Sequence, residues 1–121
     1  MSIHYATRVA HESKFKRARV GAVIVRGSRI LSSGYNHIGY SRYFRNRRFP
    51  ESIHAEQQAI IQLLKRRRLD ILVGSDMFVS RVGSFGESRL ARPCQMCQQA
   101  IEAVGIRRVY YTTETGVEQL R

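Results

Sequence analysis

Apolar residues recur along this chain with two different periods. Ile3, Ala6, Val9 (or Ala10) and the small Ser13 fall at helical spacing, which predicts a first helix over residues 3–16. Residues 20–25 form an apolar run, Gly27 and Ser28 provide a two-residue turn with glycine first, and residues 30–35 return. That pattern predicts a β-hairpin. Residues 37–51, HIGYSRYFRNRRFPE, are polar, basic and aromatic, and read as a long loop. Loops of this length in small domains are often functional. Ala55, Ala59, Ile60, Leu63 and Leu64 predict a helix over 53–69 that runs into Arg66, Arg67 and Arg68. A short strand at 76–82, a second loop at 83–92, a helix at 93–104 stopped by Gly105, and a last strand at 107–113 complete the reading.

The resulting order, α-β-β-α-β-α-β, sets the expected architecture. Two strand–helix–strand successions imply parallel strands joined by right-handed crossovers, with the opening hairpin adding an antiparallel edge. The expectation is a mixed central sheet with helices on its faces. With no repeat, low-complexity tract or linker, residues 1–121 read as a single domain.

Composition narrows the class. A hydrophobic fraction of 43% suffices for a core, and no run approaches the roughly 18 apolar residues of a membrane span. The N-terminal MSIHYATRVAHESK is polar where a signal peptide needs an apolar stretch, so a cytoplasmic protein is expected. The net charge is +12, and with only three lysines among 21 basic residues, arginine accounts for it. Arginine's planar fork suits phosphate. Such a surface attracts nucleotides, single-stranded nucleic acid or acidic partners, although the same count fits a plain solvated surface. The run Arg66–Arg68 in particular fits a solvated helix end.

Two short stretches carry the chemistry, IHAEQQAI at 53–60 and PCQMC at 93–97. Proline favours the first position of a helix, which places Cys94 and Cys97 three apart near its first turn, on one face. The positive end of the helix dipole stabilises thiolates there. Such a pair is half of a zinc site, and alone it also fits a redox dithiol. His54 stands at the predicted start of the other helix. A His-Cys-Cys set leaves a fourth position open, as catalytic rather than structural zinc requires. A structural site would need a fourth ligand, for which His37 is the nearby candidate. Zinc lowers the pKa of bound water to about 7. Glu56, two residues beyond His54, is placed to carry the proton so released.

The HAE and PCxxC pair, with VGAVIV, GYN and RRVYYT in the same order, resembles the cytidine/deoxycytidylate deaminase superfamily, and most closely its dCMP deaminase-like branch. The resemblance implies a three-layer α-β-α fold and a Zn2+ ion held by His54, Cys94 and Cys97. Glu56 would shuttle a proton from water to the ring nitrogen and then to departing ammonia. Asn36 would hydrogen-bond the sugar, and the Ala55 backbone would contact the base. The implied reaction converts dCMP or CMP to dUMP or UMP. In the loop, Arg42, Arg45, Arg47 and Arg48 could grip a 5′-phosphate, with Arg45 and Arg47 foremost. Tyr40, Tyr43, Phe44 and Phe49 interleave with them, and stacking aromatics in a basic groove would also suit a polynucleotide deaminase. A non-catalytic zinc module is the third reading, against which the intact Glu56 argues. Two departures stand out. The family continues past the strand at 107–113, so the sheet is expected to be truncated after its fourth strand and the chain to form a homo-oligomer that covers the edge. Arg92 precedes Pro93 where the family has a small or acidic residue.

Overall fold

The computed structural model describes residues 2–39 and 51–120. Helix α1 (Ser2–Ala10) leads into strands β1 (Arg19–Arg26) and β2 (Arg29–Tyr35). The short strands β3 (His37–Gly39) and β4 (Glu51–Ile53) pair antiparallel, so the segment read as one loop begins and ends in strand. Then come α2 (Ala55–Lys65), the single turn α3 (Leu69–Leu72), β5 (Asp76–Val82), β6 (Ser88–Arg89), α4 (Gln95–Ala103), β7 (Arg108–Thr112) and β8 (Val117–Gln119).

The main sheet runs β2-β1-β5-β7-β8, with β6 attached to β5. β1 is antiparallel to both β2 and β5, while β5 and β7 are parallel. β2 and β5 therefore point the same way, as a crossover demands, but β1 lies between them. The sheet is not truncated after its fourth strand. Val117–Gln119 returns antiparallel along β7, pairing Tyr111 with Glu118, and covers the edge expected to be bare. The polar sequence VEQ gave no apolar alternation to signal it.

Side chains on the two faces of the sheet build two cores. Val23 and Val25 pack with Ala6 and Val9 of α1. Ala22, Ile24, Met77, Val79, Val109 and Tyr111 face the other way, onto α2, α3 and α4. Three layers result, with all the helices after α1 on one side. Gly21 sets the approach of α1, since a Cβ there would fall on the Ala6 carbonyl and the Ala10 amide.

Two helices are shorter than their apolar spacing predicts. α1 stops at Ala10, and Ser13 is buried for a polar reason. Its hydroxyl donates to the Asn36 carbonyl at 3.0 Å and accepts from the Phe15 amide at 3.2 Å. α2 stops at Lys65 in a Schellman closure: the Arg67 amide bonds Leu64 O at 2.9 Å and the Arg68 amide bonds Leu63 O at 2.9 Å, with Arg67 at φ 55°. An arginine, where glycine or asparagine would mark such a stop, concealed it. Among the described residues no helix is long and apolar enough to cross a membrane.

Candidate active site

The two chemical motifs fold as helix starts that face each other. β4 ends at Ile53, and His54 is the N-cap of α2 with extended backbone (φ −73°, ψ 152°). Its amide donates to Gln57 Oε1 at 2.9 Å. Gly34 of β2 lets this end of α2 lie against the sheet, because a Cβ there would stand 2.7 Å from the Ala55 carbonyl oxygen and 2.6 Å from the Ala59 amide. Ser32 fixes the same contact by donating to Ala59 O at 2.9 Å. Cys94, rather than lying within its helix, caps α4 in extended conformation, and Cys97 falls in the first turn. Pro93 thus precedes the cap instead of opening the helix. The buried Gln57 joins the two starts, since its Nε2 also reaches Met96 Sδ at 3.8 Å. Spacing arguments did not identify this residue.

His54 Nδ1 stands 3.2 Å from Cys97 Sγ and 3.7 Å from Cys94 Sγ. The ligand atoms of the three residues all lie within 4.8 Å of one another, a set that could hold a metal ion. Among the described residues it is a three-ligand group. His37 does not join it, and its Nδ1 lies 3.1 Å from the Tyr35 carbonyl. The donor chemistry fits zinc: nitrogen and sulfur, with room for one more ligand. Burial pushes the Cys97 thiol far above its ordinary pKa, reinforced by Glu56 and Cys94 nearby. A thiol so placed becomes a thiolate only with a cation beside it, and a coordinated metal supplies one. Glu56, in the first turn of α2, is buried, and desolvation pushes its carboxyl up to about 7. A carboxyl near neutrality is suited to taking up and giving back a proton.

These groups open onto a cavity of about 220 Å³ lined by His54, Ala55, Glu56 and Cys94 on one side. Val20, Asn36, Arg81, Leu90, Ala91 and Arg92 line the rest. A larger cavity, about 450 Å³, runs along the edge strand β2 and holds none of the metal-binding cluster. The chemistry, not the volume, marks the smaller one as the site. Asn36 is in it, but both ends of its amide serve the backbone. Oδ1 accepts from the Val20 amide at 2.9 Å, and Nδ2 donates to Ala18 O at 2.7 Å. Arg45 and Arg47, with the aromatic residues between 40 and 49, lie outside the described residues. Arg81 and Leu90 were not anticipated. Arg81 had a visible signal, an arginine in phase with Met77 and Val79 on the apolar face of a strand.

Comparison with known proteins agrees with this geometry. A family model described as the cytidine and deoxycytidylate deaminase zinc-binding region matches residues 1–113. The chain is 28% identical to the deoxycytidylate deaminase of Mycobacterium phage D29 over 129 residues, covering 91% of this chain and 90% of that protein. The dCMP deaminase of cyanophage S-TIM5 in apo form superposes with a TM-score of 0.67 at 28% identity, covering 91% of this chain and 78% of that one. The same enzyme in complex with dCMP and dUMP gives 0.66 at 27% identity, covering 90% and 76%. Cytidine deaminase from Mycobacterium leprae, at 19% identity, shares the fold, with a TM-score of 0.56 over 97% of this chain and 88% of its own. The match along nearly the whole chain, with a His-Cys-Cys cluster at the two helix starts, shows that this chain belongs to the cytidine and deoxycytidylate deaminase family of zinc-binding hydrolases.

Proposed function

We propose that the chain hydrolytically deaminates a cytosine mononucleotide, dCMP or CMP, to dUMP or UMP. The observation that carries this is the convergence of His54, Cys94 and Cys97 within 4.8 Å, with His54 and Cys94 lining the same cavity as the buried Glu56. The relative solved with dCMP and dUMP supports the nucleotide class.

Zinc held by His54, Cys94 and Cys97 would supply, when bound, a Lewis acid that makes water an effective nucleophile near neutral pH. The protein's own groups do the rest. Glu56 takes the proton released by the attacking water and gives it to the ring nitrogen. A second proton passes through the same carboxyl to the exocyclic nitrogen. The C4–N bond breaks, ammonia leaves, and C4 keeps the oxygen as a carbonyl, so one water is consumed per turnover. Ala55 is the first residue of α2 and lines the cavity, and its amide has no acceptor within its own helix, which supports it as the proposed donor to the base carbonyl. Asn36 keeps one amide hydrogen beyond its bond to Ala18, and this is the proposed contact to the sugar. Arg45 and Arg47 remain the loop residues proposed to reach the 5′-phosphate. The same reading takes the chain as cytoplasmic and homo-oligomeric. Exposed Ile30, Val73, Phe85 and Met96 offer apolar surface that a second copy would cover.

Ammonia release measured on dCMP, CMP, deoxycytidine, adenosine and short single-stranded oligonucleotides tests the activity. Turnover of dCMP or CMP above the others is expected; zinc-loaded protein inert on both would refute the proposal.

A further inference from the structure

The site-facing side of the sheet is a ladder of cross-strand rows. Ile24, Met77 and Val109 form one row, and Ala22, Val79 and Tyr111 form the next. All six are buried and apolar in contact with the helices. The third row reads Val20, Arg81, Arg89. An arginine therefore takes the next rung of an apolar ladder, at the wall of the catalytic cavity. Its Nε is shielded from solvent and makes no hydrogen bond, and it has no ion pair among the described residues. Its neighbour Arg89 differs, bonding Glu87 at 3.1 Å and pairing with Glu114 at 3.7 Å. Arg19 also has a shielded Nε, but it lies on the opposite face and its Nη1 reaches His11 Nδ1 at 3.4 Å.

A second cation shares the cavity. Arg92 is exposed, and it is steadied by Tyr111, whose hydroxyl accepts from its Nη1 at 3.3 Å and whose ring centroid lies 5.9 Å from its Cζ. Arg81 and Arg92 both line the cavity, in which Glu56 is the one carboxyl-bearing residue among the described lining residues. Arg81 is partly buried, and its shielded Nε is a donor left without an acceptor, which is costly. An anion would supply that acceptor, and the arginine fork is shaped for phosphate oxygens.

We propose that Arg81, with Arg92 beside it, binds the 5′-monophosphate of the substrate nucleotide and selects nucleotides over nucleosides. This inference rests on the reading of the chain as a nucleotide deaminase and adds a contact from the sheet to the phosphate that Arg45 and Arg47 are proposed to reach from the loop.

The test compares wild type, Arg81→Met and Arg81→Lys, with zinc content and circular dichroism as controls. Methionine continues the apolar ladder, so the variant should fold, while lysine keeps the charge without the fork. Binding of dUMP and of deoxyuridine is measured by calorimetry, and turnover of dCMP, deoxycytidine and a short oligonucleotide with a central deoxycytidine is followed by ammonia release. Arg81→Met should weaken dUMP roughly 10–100-fold, as for loss of a charge-assisted bond, and leave deoxyuridine unchanged. KM for dCMP should rise with kcat nearly kept, and Arg81→Lys should fall between. Equal loss for dUMP and deoxyuridine would assign Arg81 to the base and overturn the proposal, as would no loss in either variant. Preference for the oligonucleotide over dCMP would also overturn it. If the enzyme prefers another nucleotide and Arg81→Met weakens that nucleotide but not its nucleoside, the phosphate site stands and the cytosine reading falls. If the enzyme deaminates cytidine or deoxycytidine with no preference for the monophosphate, the phosphate site falls and cytosine deamination stands.

Discussion

His54 Nδ1 and Cys97 Sγ stand 3.2 Å apart although 43 positions separate them in the chain. The contact exists because two helices begin at the same place, one capped by His54 and one by Cys94. One zinc ion per chain is expected by elemental analysis. Cys97→Ser should remove most of it, because the cluster found among the described residues has only three ligands and this change removes one thiolate. Chelation should lower the melting temperature of wild type, since metal binding to the folded state alone stabilises it. Zinc undiminished in Cys97→Ser would place the metal elsewhere.

Glu56→Gln keeps the shape of the side chain and removes its proton. The variant should retain zinc and its fold while turnover falls about 10²–10⁴-fold, the usual contribution of a positioned acid–base group. Because the carboxyl is buried and not among the three ligand atoms, its loss should act on kcat far more than on metal content. A near-normal rate would mean that the proton travels by another group.

Gly34→Ala tests how the sheet positions the site. The added methyl would press on the Ala55 carbonyl and the Ala59 amide, both backbone atoms that cannot swing away. Overpacking typically costs about 1–3 kcal/mol, and this case belongs at the upper end, roughly a 10 °C drop in melting temperature. As the clash pushes the first turn of α2 off β2, zinc affinity should fall as well. A variant with unchanged melting and zinc content would show that α2 does not depend on this contact.

Much of the site was legible because its residues obey short-range rules. HxE and CxxC at helix starts need only local geometry, and Pro93 and the apolar spacing of α2 marked those starts. The hairpin β1–β2 and the strand β5 were legible for the same reason. What was hidden depends on contacts distant in sequence or on missing marker residues. β6 and β8 are short and polar, and they exist because they bond to β5 and β7. The α2 stop uses Arg67 where glycine would be conspicuous. Gln57 reads as one more polar helix residue until Met96 is placed against it. Asn36 carried a family expectation, yet its amide also ties together Ala18 and Val20, a structural duty that spacing cannot reveal.

Thr112 joins β5, β6 and β7 through one hydroxyl. Its Oγ1 accepts from the Arg81 amide at 3.1 Å and donates to the Arg89 carbonyl at 2.8 Å, and the side chain sits in a residue only 5% exposed. Thr112→Val replaces that hydroxyl with a methyl of similar size, so packing is kept and two backbone groups lose their partner. Each unsatisfied group costs about 1–3 kcal/mol. The variant should therefore show a lower urea midpoint with an unchanged slope, while Thr112→Ser, which keeps the hydroxyl, stays close to wild type. The effect should reach the site, because the segment after β6 brings Leu90 and Arg92 to the cavity wall. KM for the nucleotide should rise in Thr112→Val while zinc content is retained, since His54, Cys94 and Cys97 lie on other elements. Stability equal to wild type would show that water replaces the hydroxyl. Loss of zinc alongside stability would show that the hairpin and the metal centre are held as one unit rather than two.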